Sequence, residues 1–71
     1  MDIIVKVRYG CGSQKVEPFG NSRYLVYLLS EEKEKDSFQE LVALLSKKLG
    51  IPESRIELRS DNGFNKVFFI S

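Results

Sequence analysis

The sequence predicts an α+β fold of two layers, in which one main helix packs on a four- or five-stranded, mostly antiparallel sheet. Three observations lead to this prediction. One stretch, residues 36–50, carries apolar residues at the spacing of an amphipathic helix. Short segments of alternating apolar and polar residues, which are typical of strands, lie on both sides of it. Turn-forming residues separate these segments, so the predicted element order is βββαββ, with a hairpin on each side of the helix.

Three strands are predicted before the helix. Residues 3–9 alternate strictly, and the side chains that share one face are Ile3, Val5, Val7 and Tyr9. Residues 14–19 form a weaker strand at a sheet edge, because Pro18 has no N–H to donate to a neighbouring strand. Residues 23–29 form an aromatic and aliphatic run that favours a strand.

The helix is predicted over residues 36–50. Its apolar stripe consists of Phe38, Leu41, Val42, Leu45 and Leu49. Asp36 or Ser37 can cap the first turn, and Glu40 fits the capping-box position, from which its carboxylate would reach back to the cap. Gly50 can adopt the left-handed conformation that ends a helix.

Two strands are predicted after the helix. Pro52 changes the direction of the chain, and residues 56–60 then alternate, with Ile56 and Leu58 on one face. An Asn-Gly pair at residues 62–63 is a turn signal, and residues 66–70 form the last strand. These elements together predict a single domain spanning residues 1–71.

Composition excludes several classes of chemistry. The chain has 71 residues, a net charge of +1 and no histidine, and its single cysteine is Cys11. These counts exclude an internal disulfide, imidazole acid–base catalysis and most zinc sites. The balanced charge does not favour a dedicated nucleic-acid binder, and no apolar run has the length of a membrane span. We therefore predict a cytoplasmic, non-enzymatic protein with no catalytic residue, no cofactor and no metal site.

Three other features have ordinary explanations. The Gly10-x-Gly12 pattern is followed by a predicted strand, so it lacks the helix N-terminus that a phosphate-binding loop requires. Cys11 is predicted to be a small packed side chain rather than a reactive thiol. The carboxylates of residues 31–36 alternate with lysines, which is typical of a solvated loop rather than a metal site.

The chain resembles one known family along nearly its whole length. The residues that carry the resemblance are Leu41 to Leu45, Lys48 to Pro52, Ser54, Ile56 and Leu58, with Lys66 leading the last strand. They are similar to the YggU-like family, domain-of-unknown-function family 167. The resemblance implies a small two-layer α/β fold and no particular activity. A β-grasp arrangement, which shares the hairpin–helix–strand order, is the alternative fold.

The polar positions of that family are mostly replaced in this chain. Where the family typically has Pro-Pro-x-x-Gly-Lys-Ala-Asn ahead of the helix, the matching residues are Glu31, Glu32, Lys35, Asp36, Ser37 and Phe38. Of the family's Gly-x-x-Ser-Arg-x-Lys near the end, only the lysine, Lys66, is retained. The resemblance therefore implies a shared hydrophobic frame and not a shared binding role.

The sheet face turned away from the helix is the predicted functional surface. If Tyr24, Val26 and Leu28 face the helix, as the resemblance implies, an apolar set lies on the opposite face. Its members are Ile4, Leu25, Tyr27, Leu29, Val67 and Phe69. A patch of this kind with a charged rim predicts a homodimer or a docking surface for a protein partner. Two alternatives stay open: ordinary packing on both faces of the sheet, and an RNA-binding platform that uses Lys6, Arg8, Arg59 and Lys66.

Overall fold

The computed structural model describes all 71 residues and has the predicted α+β architecture. Its elements in chain order are β1 (Asp2–Arg8), β2 (Lys15–Gly20), β3 (Arg23–Tyr27), α1 (Ser37–Leu49), a short 3₁₀ helix (Glu53–Arg55), β4 (Ile56–Asp61) and β5 (Asn65–Ile70). The predicted order βββαββ is confirmed, with element bounds that differ from the prediction by one or two residues. The helix of 13 residues is neither long nor apolar enough to cross a membrane.

The five strands form one mixed sheet in the order β2-β3-β1-β5-β4. The β1–β3 pair is parallel and the other three pairs are antiparallel, so the sheet is mostly antiparallel, as predicted. The first strand of the chain is therefore the central strand of the sheet. Pro18 lies in β2, which is an edge strand, where its missing N–H costs least.

The core lies between α1 and one face of the sheet. Its buried side chains alternate along each strand and recur at helical spacing on α1, because each element turns one face to the other layer. These residues are Ile3, Val5, Val7, Val26, Leu28, Leu41, Val42, Leu45 and Phe68. The predicted helix-facing sides of the first, third and last strands are thus the sides that the fold buries.

The C-terminal end of α1 follows the prediction, whereas its N-terminal end does not. Gly50 has φ of 70° and donates its N–H to the Ser46 carbonyl over 2.9 Å, which is a left-handed helix stop. At the other end, the side chain of Asp36 makes no capping hydrogen bond. The predicted capping box is wrong, because the Glu40 carboxylate binds a different segment.

The Glu40 side chain links α1 by hydrogen bonds to the segment that follows β3. Its Oε2 accepts hydrogen bonds from the Leu29 N–H (2.8 Å) and the Gln14 amide (2.7 Å), and its Oε1 accepts one from the Ser30 N–H (3.1 Å). Partial burial raises the pKa of Glu40, but these hydrogen bonds outweigh burial and lower the pKa from 4.5 to about 2. The ionised carboxylate therefore satisfies backbone donors that the end of β3 leaves free.

Replacing Glu40 by glutamine is expected to lower the free energy of unfolding at neutral pH by about 1–2 kcal/mol, since the site is partly screened by solvent. The pKa of Glu40 is lower in the folded chain than in the unfolded chain, so its contribution is complete above the ordinary pKa of 4.5 and is lost as pH falls toward 2. Glu40→Gln should therefore lose less stability than the wild type on acidification.

Urea unfolding at several pH values measures this difference. Glu57→Gln makes the same chemical change at an exposed strand position and serves as the control for removing one negative charge. If Glu40→Gln and the wild type lose the same stability over this pH range, the ionised Glu40 carboxylate does not stabilise the fold through its hydrogen bonds to the segment after β3.

Candidate functional site

The outer sheet face, defined as the side of the sheet away from α1, carries five of the six predicted apolar residues. Ile4, Leu25, Tyr27, Val67 and Phe69 all lie on strands and alternate with the buried positions. Ile4 is 40% exposed and the other four are half-buried, although no helix covers this face. Leu29 is 51% exposed but follows the end of β3, so it lies beyond the strands.

Strand register joins these five side chains into one apolar stripe. Ile4 is paired with Val67 across β1 and β5, and Phe69 follows Val67 on the same side of β5. On the other side of β1, Leu25 is paired with Lys6, which puts it diagonally beside Ile4, and Tyr27 follows Leu25. Such direct and diagonal neighbours are within reach of one another on a sheet. The stripe therefore crosses the sheet obliquely from β5 to β3.

Charged side chains surround the apolar stripe, and some of them already have partners within the chain. The Arg59 guanidinium lies 4.5 Å from the centroid of the Phe69 ring and 3.9 Å from the Glu57 carboxylate. Lys15 and Glu17 pair at 3.5 Å on β2. Four exposed charges on this face have no ion-pair partner within the chain: Asp2, Lys6, Arg8 and Arg23.

The four cations of the RNA-binding alternative do not lie together. Lys6, Arg8 and Arg59 are on β1 and β4 with exposed side chains, and Arg59 is engaged by Phe69 and Glu57. The Lys66 side chain is only 7% exposed and points to the helix side of the sheet, where its Nζ lies 2.7 Å from the Asp61 carboxylate. Lys66 is therefore separated from the other three cations by the sheet itself.

A β-bulge creates the ion pair between Lys66 and Asp61. The pairing of β4 with β5 runs from Leu58 opposite Phe68 to Ser60 opposite Val67, which leaves Arg59 as an extra residue. With regular alternation the Asp61 side chain would lie on the outer sheet face. Because of the one extra residue, it lies instead on the helix side, opposite Lys66. The sequence alone could have indicated the position of Lys66, because Lys66 lies two residues before the buried Phe68 on β5 and therefore on the same side of the strand.

The turn between β4 and β5 is fixed around the Asp61 carboxylate. Asp61 Oδ1 accepts hydrogen bonds from Lys66 Nζ and from the Gly63 N–H at 2.8 Å. The hydrogen bond from Lys66 has the larger effect, and together with the one from Gly63 it holds the pKa of Asp61 below its ordinary value. Gly63 has φ of 94°, which favours glycine, and its carbonyl accepts a hydrogen bond from the Tyr9 hydroxyl over 2.8 Å. The turn is thereby tied to the end of β1.

A cavity of about 340 Å³ opens beside this ion pair, at the start of α1. We call it the Lys66 cavity. It is lined by the residue after β1, by the loop before α1 and the start of α1, and by the β4–β5 turn with the start of β5. The lining residues are Tyr9, Glu32, Ser37, Phe38, Leu41, Asp61, Gly63 and Lys66. The Phe38 ring closes one side by stacking on the buried Phe68 ring, with centroids 6.2 Å apart.

The remaining candidate features of the sequence have simple structural roles. Cys11 is half-buried, and its Sγ lies 3.6 Å from the Arg8 carbonyl and 3.7 Å from the Tyr9 carbonyl. The segment from Gly10 to Gly12 leads into β2 and therefore offers no helix N-terminus. No group of three or more His, Cys, Asp or Glu side chains lies close enough together to hold a metal ion.

Comparison of the chain with protein-family models, with curated proteins and with solved structures finds no match in any of the three. The resemblance to the YggU-like family therefore stays a prediction.

Proposed function

We propose that this chain is a non-enzymatic assembly module that forms a homodimer through its outer sheet face. The observation that carries the proposal is the continuous apolar stripe from Phe69 to Tyr27 on a sheet face that no helix covers. A one-sided antiparallel sheet normally has a polar outer face, because water covers it. Apolar side chains joined across three strands are typical of an interface. The proposal includes no catalytic step.

The size of the stripe suits a modest interface. Pairing two copies through the stripe and its charged rim would bury roughly 1,000 Å² in total, near the lower limit for specific association. Tyr27 and Phe69 are large aromatic side chains of the kind that dominate binding energy when they are buried. The charges around them would form the solvated rim. We therefore expect association in the micromolar range rather than an obligate dimer.

The unpaired charges select one orientation of the two copies. In a face-to-face dimer the two-fold axis lies in the interface, and its two limiting directions are along the strands and across them. An axis along the strands would bring like ends together, with Asp2 near the partner's Asp2. An axis across the strands brings Asp2 near the partner's Arg8, since these two residues lie at opposite ends of β1. Opposite charges therefore favour the axis across the strands.

A charge-swap experiment tests this arrangement. Asp2→Arg and Arg8→Asp, made singly, should each weaken the dimer by roughly tenfold at low salt, because each replaces two attractive pairs by repulsive ones. The double variant Asp2→Arg/Arg8→Asp should recover most of the affinity, since it restores opposite charges across the interface. Sedimentation equilibrium gives the dissociation constants, and circular dichroism checks that the fold is kept.

Lys33→Asp reverses a charge in the loop before α1 and should leave association unchanged. Two results would contradict the proposal. The first is additive weakening in the double variant, which would exclude the Asp2–Arg8 contact. The second is a monomer that binds single-stranded RNA with an affinity that falls steeply with salt and is reduced by Lys6→Ala or Arg8→Ala, which would favour the RNA-binding alternative.

A further inference from the structure

The Lys66 cavity lies on the opposite side of the sheet from the proposed dimer surface and needs a separate explanation. Lysine is rarely buried unless it is paired. Here a buried lysine borders an open cavity of about 340 Å³, which lies within the size range of small-molecule sites. The β-bulge at Arg59 and the glycine turn at Gly63 both serve to place polar groups at this cavity.

Hydrogen-bond donors are left free at the Lys66 cavity. An ammonium group has three N–H donors, and Lys66 Nζ makes one hydrogen bond, to Asp61. The Phe38 N–H lies in the first turn of α1 and has no acceptor within the chain, because Asp36 does not cap the helix. These donors suit a carboxylate, which accepts several hydrogen bonds.

Acceptors are also left free at the Lys66 cavity. Asp61 Oδ1 receives both of the hydrogen bonds that the carboxylate accepts, so Oδ2 accepts none. The Glu32 carboxylate forms no ion pair within the chain, and its Oε2 would lie 3.1 Å from a Cβ at Gly63, which places it against the β4–β5 turn. These oxygens suit an ammonium group, which donates three hydrogen bonds.

The charges and free hydrogen-bonding groups of the lining disfavour the two simpler ligands. Two carboxylates, Glu32 and Asp61, face one ammonium, Lys66, so a plain anion would meet an excess of negative charge. A plain cation would suit this net charge but would leave the free donors of Lys66 and Phe38 without an acceptor. A molecule that carries both charges satisfies both the free donors and the free acceptors. The walls formed by Tyr9, Phe38 and Leu41 would contact its apolar part.

We propose that the Lys66 cavity binds a small zwitterion with an apolar side chain, that is, a free apolar α-amino acid. Its carboxylate accepts hydrogen bonds from the free donors of Lys66 and Phe38. Its ammonium group donates to Glu32 and to Asp61 Oδ2. Its side chain lies between Tyr9 and Phe38. This inference goes beyond the proposed dimer and does not depend on it, since the outer sheet face and the cavity share no residue.

Titration of the ¹⁵N-labelled chain by NMR with three matched probes tests the inference. L-phenylalanine carries both charges, 3-phenylpropionate lacks the ammonium group, and 2-phenylethylamine lacks the carboxylate. L-phenylalanine should shift the amide signals of Phe38 and Gly63 in a saturable way, with a dissociation constant between about 0.1 and 5 mM for so small a ligand. Both analogues should bind at least tenfold more weakly, because each leaves charged groups of the cavity without a partner.

Variants of two neighbouring carboxylates separate the roles of the two charges. Glu32→Gln should weaken L-phenylalanine binding several-fold, and it should not weaken the binding of 3-phenylpropionate. Glu31→Gln makes the same change at a residue that does not line the cavity and should leave both affinities unchanged. Glu32 is exposed and makes no ion pair, so its replacement keeps the fold, whereas Lys66→Met removes the partner of Asp61 and is expected to destabilise the chain.

Three results would overturn the inference. If 3-phenylpropionate binds as tightly as L-phenylalanine, the cavity is an anion site. If 2-phenylethylamine does so, the cavity is a cation site. If none of the three probes shifts the Phe38 and Gly63 signals at about 10 mM, a level at which millimolar binding would be visible, the cavity does not bind this class of ligand.

Discussion

Replacing Leu45 by alanine is expected to lower the free energy of unfolding by about 2–5 kcal/mol, through lost burial and the cavity that remains. Leu45 is fully buried and lies at the centre of the stripe that α1 turns to the sheet. A domain of this size has a total stability of only a few kcal/mol, so this loss is a large part of it. Leu45→Ala should therefore unfold at a much lower temperature and urea concentration, or be unfolded at room temperature.

Lys47→Ala is the matched control for this substitution. It introduces the same residue two positions later on the exposed side of α1, where its effect should lie within about 0.5 kcal/mol of zero. Thermal and urea unfolding followed by circular dichroism measure both variants. An unchanged melting temperature for Leu45→Ala would mean that α1 does not bury this stripe, which would contradict the two-layer core.

Replacing Phe69 or Tyr27 by glutamate is expected to weaken dimerisation by more than about 100-fold, which corresponds to losing about 2.7 kcal/mol or more of association energy. Both side chains lie at the ends of the apolar stripe, and glutamate would bring an unpaired charge into the apolar part of the interface. Phe69→Glu also removes the ring on which the Arg59 guanidinium packs. Both variants should remain folded, because neither side chain belongs to the core under α1.

Phe64→Glu provides the control for an exposed aromatic residue outside the interface. Phe64 is 55% exposed, and its ring packs edge-on against Tyr9 on the helix side of the sheet. Its replacement should leave the dimer intact when all three variants are compared by sedimentation. Association that survives both Phe69→Glu and Tyr27→Glu would show that the outer sheet face is not the interface.

The parts of the fold that sequence could predict are those set by burial alone. Alternation placed Ile3, Val5 and Val7 on the buried side of the central strand, and helical spacing placed Leu41 and Leu45 in the core. In both cases a side chain's environment depends on its own position in a regular element. For the same reason, five members of the predicted outer face lie where the alternation puts them.

The parts that sequence could not predict depend on contacts between elements. The bulge at Arg59 shifts one strand against its partner, and no local pattern shows that Asp61 thereby changes sides. Glu40 matches a local capping motif, but its carboxylate accepts hydrogen bonds from free backbone N–H groups just after β3 instead of from the helix cap. The Lys66 cavity was not predicted because residues from three separate segments build it, and none of those segments carries a ligand-binding motif.

Sedimentation equilibrium of the unmodified chain over a wide concentration range, at low and at high salt, tests the proposed assembly most directly. We expect a reversible monomer–dimer equilibrium that persists at high salt, because the apolar stripe supplies most of the association energy and the Asp2–Arg8 contacts supply the smaller, screened part. A chain that stays monomeric at every concentration and at both salt levels would contradict self-association through the outer sheet face.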